Sequence, residues 1–142
     1  TVLAEGDDQN DPIVDAARAI LDGHIVLSRR LAEGGHYPAI DVEASVSRAM
    51  MQITDETQRS HTLSLRQNYS LYQQNADLLA IGAYQPGSKP DVDAAIGLWP
   101  RIQNFLKQRP GEQVARAESL AALGELLSAP TEVTEHVEGD HA

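Results

Sequence analysis

The 142-residue sequence contains no cysteine, so disulfide staples and thiolate metal sites are both excluded. That fits a reducing cytoplasm without requiring one. Aromatic residues are scarce, at 4% against 42% hydrophobic, so a core has to be built mainly from Leu, Ile, Val and Ala. Positive charge is short as well: 11 Lys and Arg stand against 21 Asp and Glu, a formal net charge of −10. Nonspecific nucleic-acid binding needs a basic face that displaces counterions from phosphates, and docking on an anionic membrane needs the same sign of charge. Both are disfavoured. No apolar run approaches the roughly 18 residues needed to span a bilayer, and no charged-then-apolar signal opens the chain. A Gly-x-Ser-x-Gly elbow, a catalytic cysteine and a phosphate-cradling glycine loop are also missing.

What is present divides near residue 50. The opening "TVLAEGDD" reads as the end of a buried strand, Thr1 to Ala4, entering a polar loop with nothing before it. This points to a piece cut from a longer chain. "DPIVDAARAILDG" carries both helix end signals: Asp11 as N-cap with Pro12 at the first position, and Gly23 as a left-handed C-terminal cap. Ile13, Ala16, Ala17, Ile20 and Leu21 fall on one face of it. "HIVLS" is a continuous apolar run, expected of a strand covered on both faces. Strand, helix and strand together predict one unit of a parallel sheet.

After Arg48 the character becomes helical. Asp55 to Ile81 lacks Gly and Pro, and Leu65, Tyr69, Tyr72, Ala76 and Leu79 make a helical stripe. Thr54 is its expected cap. Ser88 with Asp91 fits a capping box for a second helix with Ile96, Trp99, Ile102 and Leu106 on one side, in which Pro100 is expected to remove one hydrogen bond and kink the axis. A third helix is expected over Glu112 to Leu127, with Val114, Ala117, Leu120, Leu123 and Leu127. The acidic "TEVTEHVEGDHA" reads as a disordered tail. The expected division is therefore 1–50, the end of an α/β sheet domain; 51–128, a three-helix domain; and 129–142, the tail. No internal repeat is visible.

The candidate chemistry is sparse, and each candidate has a plain structural reading beside the functional one. Arg48, at the end of "ASVSR", reads from spacing alone as a solvated surface charge near a short helix. The alternative is a guanidinium that reaches a phosphate with its permanently charged fork. Tyr37, between His36 and Pro38, closes a loop as a half-buried ring, or presents a flat face on which a base stacks, with Pro38 fixing the backbone. Asp7, Asp8, Asn10 and Asp11 form an acidic cluster, but their spacing does not match a calcium loop and Asp11 already has a capping role. His24, His36 and His61 are not spaced as ligands, and "HVEGDH" is a weak chelator at best. No metal site is expected.

Read together, "AEGDDQNDPIVDAARAILDGHIVLSRRLAEGGHYPAIDVEASVSR" resembles the flagellum-specific export ATPases of bacteria. These are relatives of the injectisome secretion ATPases and of the catalytic beta subunit of the rotary ATP synthase. "GDDxNDPI", "LDGHIVLSR" and "HYPAIDVxxSxSR" occur in the family's order and spacing over about the first third of the chain. "YxxNADLLAIGAYQPGSKPDVDAAIGLWPRIQNFLKQ" and "ESLAALGELL" resemble the family's C-terminal helical domain. Met51 stands where many members have proline, and the tail has no counterpart.

The resemblance implies the C-terminal end of a RecA-like parallel-sheet domain followed by a helical domain. It also implies a homo-hexameric ring with ATP and Mg2+ between neighbours. Tyr37 matches the tyrosine that stacks on adenine, and Arg48 the arginine finger that enters the next subunit's site. Arg29 matches a family position to which no role is assigned. The phosphate-binding loop, magnesium-binding strand and catalytic glutamate lie upstream in the family, so this chain alone is expected to be inactive. Implied partners are export-gate and stalk proteins and substrate–chaperone complexes, with a cytoplasmic location peripheral to the inner-membrane export apparatus, no nucleic acid and no membrane insertion. Two rival readings remain: an injectisome ATPase, which shares most of these motifs, and a non-catalytic helical interaction module.

Overall fold

The computed structural model describes residues 1, 2 and 11–128. The expected first strand falls largely on residues outside that range, as do Asp7, Asp8 and Asn10 of the acidic cluster and the acidic tail. Eight elements follow one another among the described residues: α1 (Pro12–Ile20), β1 (Gly23–Leu27), α2 (Arg29–Glu33), β2 (Ile40–Ser47), α3 (Met50–Ile53), α4 (Glu56–Ala80), α5 (Pro90–Leu106) and α6 (Arg116–Ser128). They form two compact units that divide between Arg59 and Ser60.

In the first unit, α1 starts as its sequence dictates. The Asp11 carboxylate accepts the N–H groups of Ile13 and Val14 at 2.7 and 3.4 Å, and Pro12 occupies the first helical position. Its apolar face does not become core: no residue of α1 is buried, and Ile20 is 82% exposed. β1 pairs with β2, and the pair is antiparallel. The expected parallel unit joins β1 instead to a strand at Thr1–Ala4, half of which lies outside the described residues. The chain leaves β1 through the one-and-a-half-turn α2 and comes straight back, a return too short for a parallel crossover. Nor is "HIVLS" covered on both faces, since Ile25 and Leu27 are both exposed.

Gly23 has a different role from the expected left-handed cap. It is not among the glycines of positive φ, and Leu21 caps α1 in extended conformation. Gly23 opens β1 directly against β2, where an added Cβ would lie 2.7 Å from the Val46 carbonyl oxygen. The strands touch backbone to backbone here, which excludes any side chain.

The second unit is a three-helix assembly with one core. Tyr69 of α4, Leu98 and Ile102 of α5 and Leu126 of α6 meet there, with Trp99, Phe105, Leu106 and Leu127 packed at the margin. Three of the scarce rings are spent on one contact. Trp99 stacks on Tyr72 at 3.8 Å, nearly parallel, and lies 5.3 Å from Tyr69 in a tilted arrangement. Such pairs add about 0.5–1.5 kcal/mol beyond area burial. The buried line of α5 is Val92, Ala95, Leu98 and Ile102, so the stripe expected through Ile96 and Trp99 is rotated. The helix continues through Pro100, which is exposed.

The helix ends differ from the expected caps. Asp55 rather than Thr54 caps α4: its carboxylate accepts the Gln58 N–H at 2.7 Å, while the Thr54 hydroxyl donates back to the Met50 carbonyl at 2.6 Å. Arg59 ties this junction together by donating from Nη1 to the carbonyls of Met51 and Thr54 at 2.9 and 2.7 Å. Lys89 precedes α5 with no side-chain cap, because Pro90 leaves one fewer N–H to satisfy; Ser88 plays no such part. α6 begins at Arg116 rather than Glu112. Arg109-Pro110-Gly111-Glu112 closes a turn, with Gly111 at φ +83° and the Glu112 N–H donating to the Arg109 carbonyl at 3.0 Å. Proline then glycine at the central positions is the demand of a type II turn. Val114 is left outside the helix and exposed.

Ile102 is fully buried, so Ile102→Ala should lower the unfolding free energy of the second unit by about 2–5 kcal/mol. Leu63→Ala, at a position 54% exposed, should change it by about 0.5 kcal/mol or less. Urea denaturation followed through the fluorescence of Trp99, the single tryptophan, measures both. Equal effects would mean that the core lies elsewhere.

Candidate functional site

β2 positions both residues singled out in the sequence. "IDVEASVS" alternates apolar and polar side chains with period two, which is the pattern of a strand. Tyr37 and Pro38 lie just before it and Arg48 just after it. Leu27 pairs with Ile40, and the Ser28 N–H extends the ladder to the Ala39 carbonyl at 2.8 Å. At the other end Gly23 pairs with Ser47, and the Arg48 N–H donates to the Asp22 carbonyl at 2.8 Å. Arg48 is therefore fixed beside one end of β1 through its own main chain, and Tyr37 stands two residues before the Ala39 bond at the other end.

Their side chains are open to solvent. Tyr37 is 54% exposed beside a cis Tyr37–Pro38 peptide. This exposure leaves a ring face available for stacking, unlike the stacked Tyr72 and Trp99 of the second unit. Arg48 is also exposed, and its Nη2 donates to the Arg18 carbonyl at 3.5 Å. That carbonyl is one of the last four of α1, at the negative end of its dipole. A bond of this length is weak. It steadies the guanidinium without trapping it. Arg29 lies in the first turn of α2, which Ser28 caps by accepting the Leu31 N–H at 3.4 Å.

The strand between the two candidates is not regular. Val26 pairs with Asp41 and His24 with Val46. Two steps along β1 thus match five along β2, and three residues of β2 are extra. The Asp41 carboxylate accepts the N–H groups of Glu43 and Ala44 at 3.1 and 2.9 Å. The Ser45 hydroxyl accepts the Val26 N–H at 3.0 Å and donates to the Asp41 carbonyl at 2.6 Å. His24 Nε2 lies 3.2 Å from the Ala44 carbonyl oxygen. Side-chain oxygens replace the missing ladder partners, so the bulge is fully bonded at these points. Asp41 and Ser45 were not singled out from sequence, although the polar spacing D-x-x-x-S inside an apolar strand was the available signal.

Among the described residues no group of three or more His, Asp or Glu side chains converges as a metal site. The ring and the guanidinium fit a base and a phosphate. Among the described residues, the other groups that phosphoryl transfer requires are not found beside them.

A second polar cluster belongs to the other unit. The Asp93 carboxylate accepts the Tyr84 hydroxyl at 2.9 Å and the Gly87 N–H at 2.9 Å, closing the loop ahead of α5. It is Asp93, not Asp91, that reaches back.

The ATP synthase alpha/beta family nucleotide-binding domain matches residues 1–47, and the T3SS EscN ATPase C-terminal domain matches residues 54–125. The chain belongs to the type III secretion ATPase family. The flagellum-specific ATP synthase of Salmonella typhimurium (strain LT2) is 57% identical over 123 residues, covering 87% of this chain and 27% of that protein. The SPI-2 type 3 secretion system ATPase of the same organism is 52% identical over 112 residues, covering 79% of this chain and 26% of that protein. Among solved structures, the assembled ATPase EscN of the enteropathogenic E. coli type III secretion system matches with a TM-score of 0.86 and 38% identity, over 90% of this chain and 31% of that one. The same ATPase in complex with its central stalk EscO matches with a TM-score of 0.78 and 35% identity, over 82% of this chain and 29% of that one. The chain thus spans little more than a quarter of the length of these curated relatives.

Within this family's C-terminal domain, the Tyr84–Asp93 pair makes a pH prediction. The Tyr84 pKa is raised, first by desolvation and then by its hydrogen bond to Asp93. The folded chain holds this proton more tightly than the unfolded chain does. The resulting stabilisation is complete below the ordinary tyrosine pKa of about 10 and is lost as pH rises through the higher folded value. The melting temperature of the second unit should therefore fall above about pH 10, more steeply in the native sequence than in Tyr84→Phe. Parallel profiles for the two would contradict this role.

Proposed function

We propose that the chain is the C-terminal portion of a flagellar protein-export ATPase, whose full-length form hydrolyses ATP in a homo-hexameric ring to assist export. Residues up to about 50 complete the RecA-like core, and 51–128 form the helical domain. This division is in keeping with the family matches, which end at residue 47 and resume at 54. The apolar residues left exposed on α1 and β1 are then the surface that the rest of the parallel sheet covers.

The observation that carries the reading is the placement of an open tyrosine ring and an open guanidinium at the two ends of one bulged strand. In the proposed ring Tyr37 stacks on adenine in its own subunit, and Arg48 reaches the γ-phosphate held by the neighbour. A planar cation supplied from a partner stabilises charge that develops there during transfer. Mg2+ and the phosphates are held by segments upstream, so this chain alone does not turn over ATP. The helical domain meets a central stalk, as its relative EscN does with EscO, together with export-gate proteins and substrate–chaperone complexes. Its place is the cytoplasmic side of the export apparatus. No helix of the described residues is long and apolar enough to cross a membrane. The injectisome reading remains the alternative, since the SPI-2 ATPase is 52% identical.

Kinetics of the full-length protein test the two roles separately. Stacking is present in ground and transition states alike, so Tyr37→Ala should weaken ATP binding by about 10-fold and leave kcat nearly unchanged. Arg48→Ala should lower kcat by about 10³ with little change in binding, and Arg48→Lys should not restore it. Rings mixed from Arg48→Ala chains and chains disabled in their phosphate loop should regain activity, because some interfaces then join an intact loop to an intact arginine. Mixed rings that form and stay inactive would overturn the action of Arg48 across the interface.

A further inference from the structure

The distance between the two ends of β2 is set by a device that the proposed roles of Tyr37 and Arg48 do not mention. Ile40 to Ser47 is seven steps of chain, but its partners Leu27 to Gly23 are only four steps apart. At about 3.3 Å per residue, a regular strand would separate the ends by about 23 Å, whereas the paired stretch of β1 spans about 13 Å. Three residues folded out of the ladder draw Arg48 back toward Tyr37 by about 10 Å.

We propose that the bulge closed by Asp41 and Ser45 is a spacer that sets the distance from the adenine-stacking ring to the arginine finger, so that both are positioning residues for ATP hydrolysis. The inference rests on the reading of Tyr37 and Arg48 given above. Ser45 is the lock, because one hydroxyl serves as acceptor for the Val26 N–H and as donor to the Asp41 carbonyl. Remove it and two main-chain groups lose their partner at the point where the ladder is interrupted. Asp41 holds the out-folded residues by accepting from Glu43 and Ala44. Without these bonds, the route by which β2 regains pairing is to slip back into register with β1. Slippage by up to three residues carries Arg48 away from its place at Asp22 and Arg18. The fixed points at Leu27–Ile40 and Ser28–Ala39 keep Tyr37 where it is. The defect therefore falls on the finger and spares the ring.

Four variants of the full-length ATPase, compared in the assembled ring fraction, make the test. Ser45→Ala and Asp41→Ala should each lower kcat by about 10–100-fold, the scale on which small displacements of a catalytic group act, with KM for ATP changed by less than about twofold. Ser45→Thr keeps the hydroxyl and Asp41→Asn keeps the acceptor oxygen; each should restore most of the lost rate. The decisive arm combines Ser45→Ala, or Asp41→Ala if the first fails to assemble, with Arg48→Ala. Residues that act through Arg48 cost nothing further once Arg48 is gone, so the double variant should match Arg48→Ala alone. If the losses multiply, or if both alanine variants turn over normally while Arg48→Ala does not, the spacer proposal is overturned and the role of Arg48 stands. A normal kcat for Arg48→Ala itself would instead remove the reading on which the spacer rests.

Discussion

The Ser45 hydroxyl accepts the Val26 N–H and donates to the Asp41 carbonyl, and the geometry of the first unit follows from that pair of bonds. A strand with three surplus residues has unsatisfied main-chain groups unless side chains take over, and unsatisfied groups favour a slip to a regular ladder. Asp41 and Ser45 supply oxygens at the required points. Gly23 supplies the other condition, a backbone contact so close that no side chain fits between the strands. Together they hold an eight-residue strand to a five-residue partner.

The second unit depends on a different kind of force. Every buried apolar residue among those described lies between Leu65 and Leu126. This unit has a hydrophobic core of its own, whereas the first has no fully buried apolar residue among those described and leaves Ile13, Ile20, Ile25 and Leu27 exposed. In the proposed ring that contrast has a use. The first unit is a part of a larger sheet and gains its rigidity from the assembly. The helical unit is complete enough to present a fixed surface to partners. Packing of Tyr72, Tyr69 and Trp99 joins α4 to α5 with few rings, and Leu126 of α6 completes the core with aliphatic contacts.

Sequence patterns gave the helices most clearly. The α1 cap was legible because Asp-Pro leaves only one geometry, and α4 because 25 residues run without Gly or Pro. Register and caps were less legible. Thr54 and Asp55 are adjacent cap formers, and only the fold decides which carboxylate or hydroxyl meets the free N–H groups. Ser88 satisfied a spacing rule, but Pro90 at the first helical position removed a donor that a cap would serve. β2 carried a clear period-two signal in "IDVEASVS". Its bulge was hidden because a three-residue surplus appears only once the partner is known. The same limit applied to Asp41 and Ser45, whose polarity was visible and whose partner, Val26, is 19 residues from Ser45. Gly23 read as a cap because a glycine after a helix usually is one; the close approach of Val46 is a tertiary fact.

The central claim is that one bulged strand serves two nucleotide sites, adenine at its Tyr37 end and the neighbour's phosphate at its Arg48 end. A structure of the assembled full-length ring with a non-hydrolysable ATP analogue tests it directly. The account predicts the Tyr37 ring stacked on adenine within one subunit, with Arg48 released from the Arg18 carbonyl and its guanidinium within about 3 Å of a γ-phosphate oxygen held by the adjacent subunit. Arg48 still bonded to Arg18 at a nucleotide-filled interface, with the phosphate met by another cation, would contradict it.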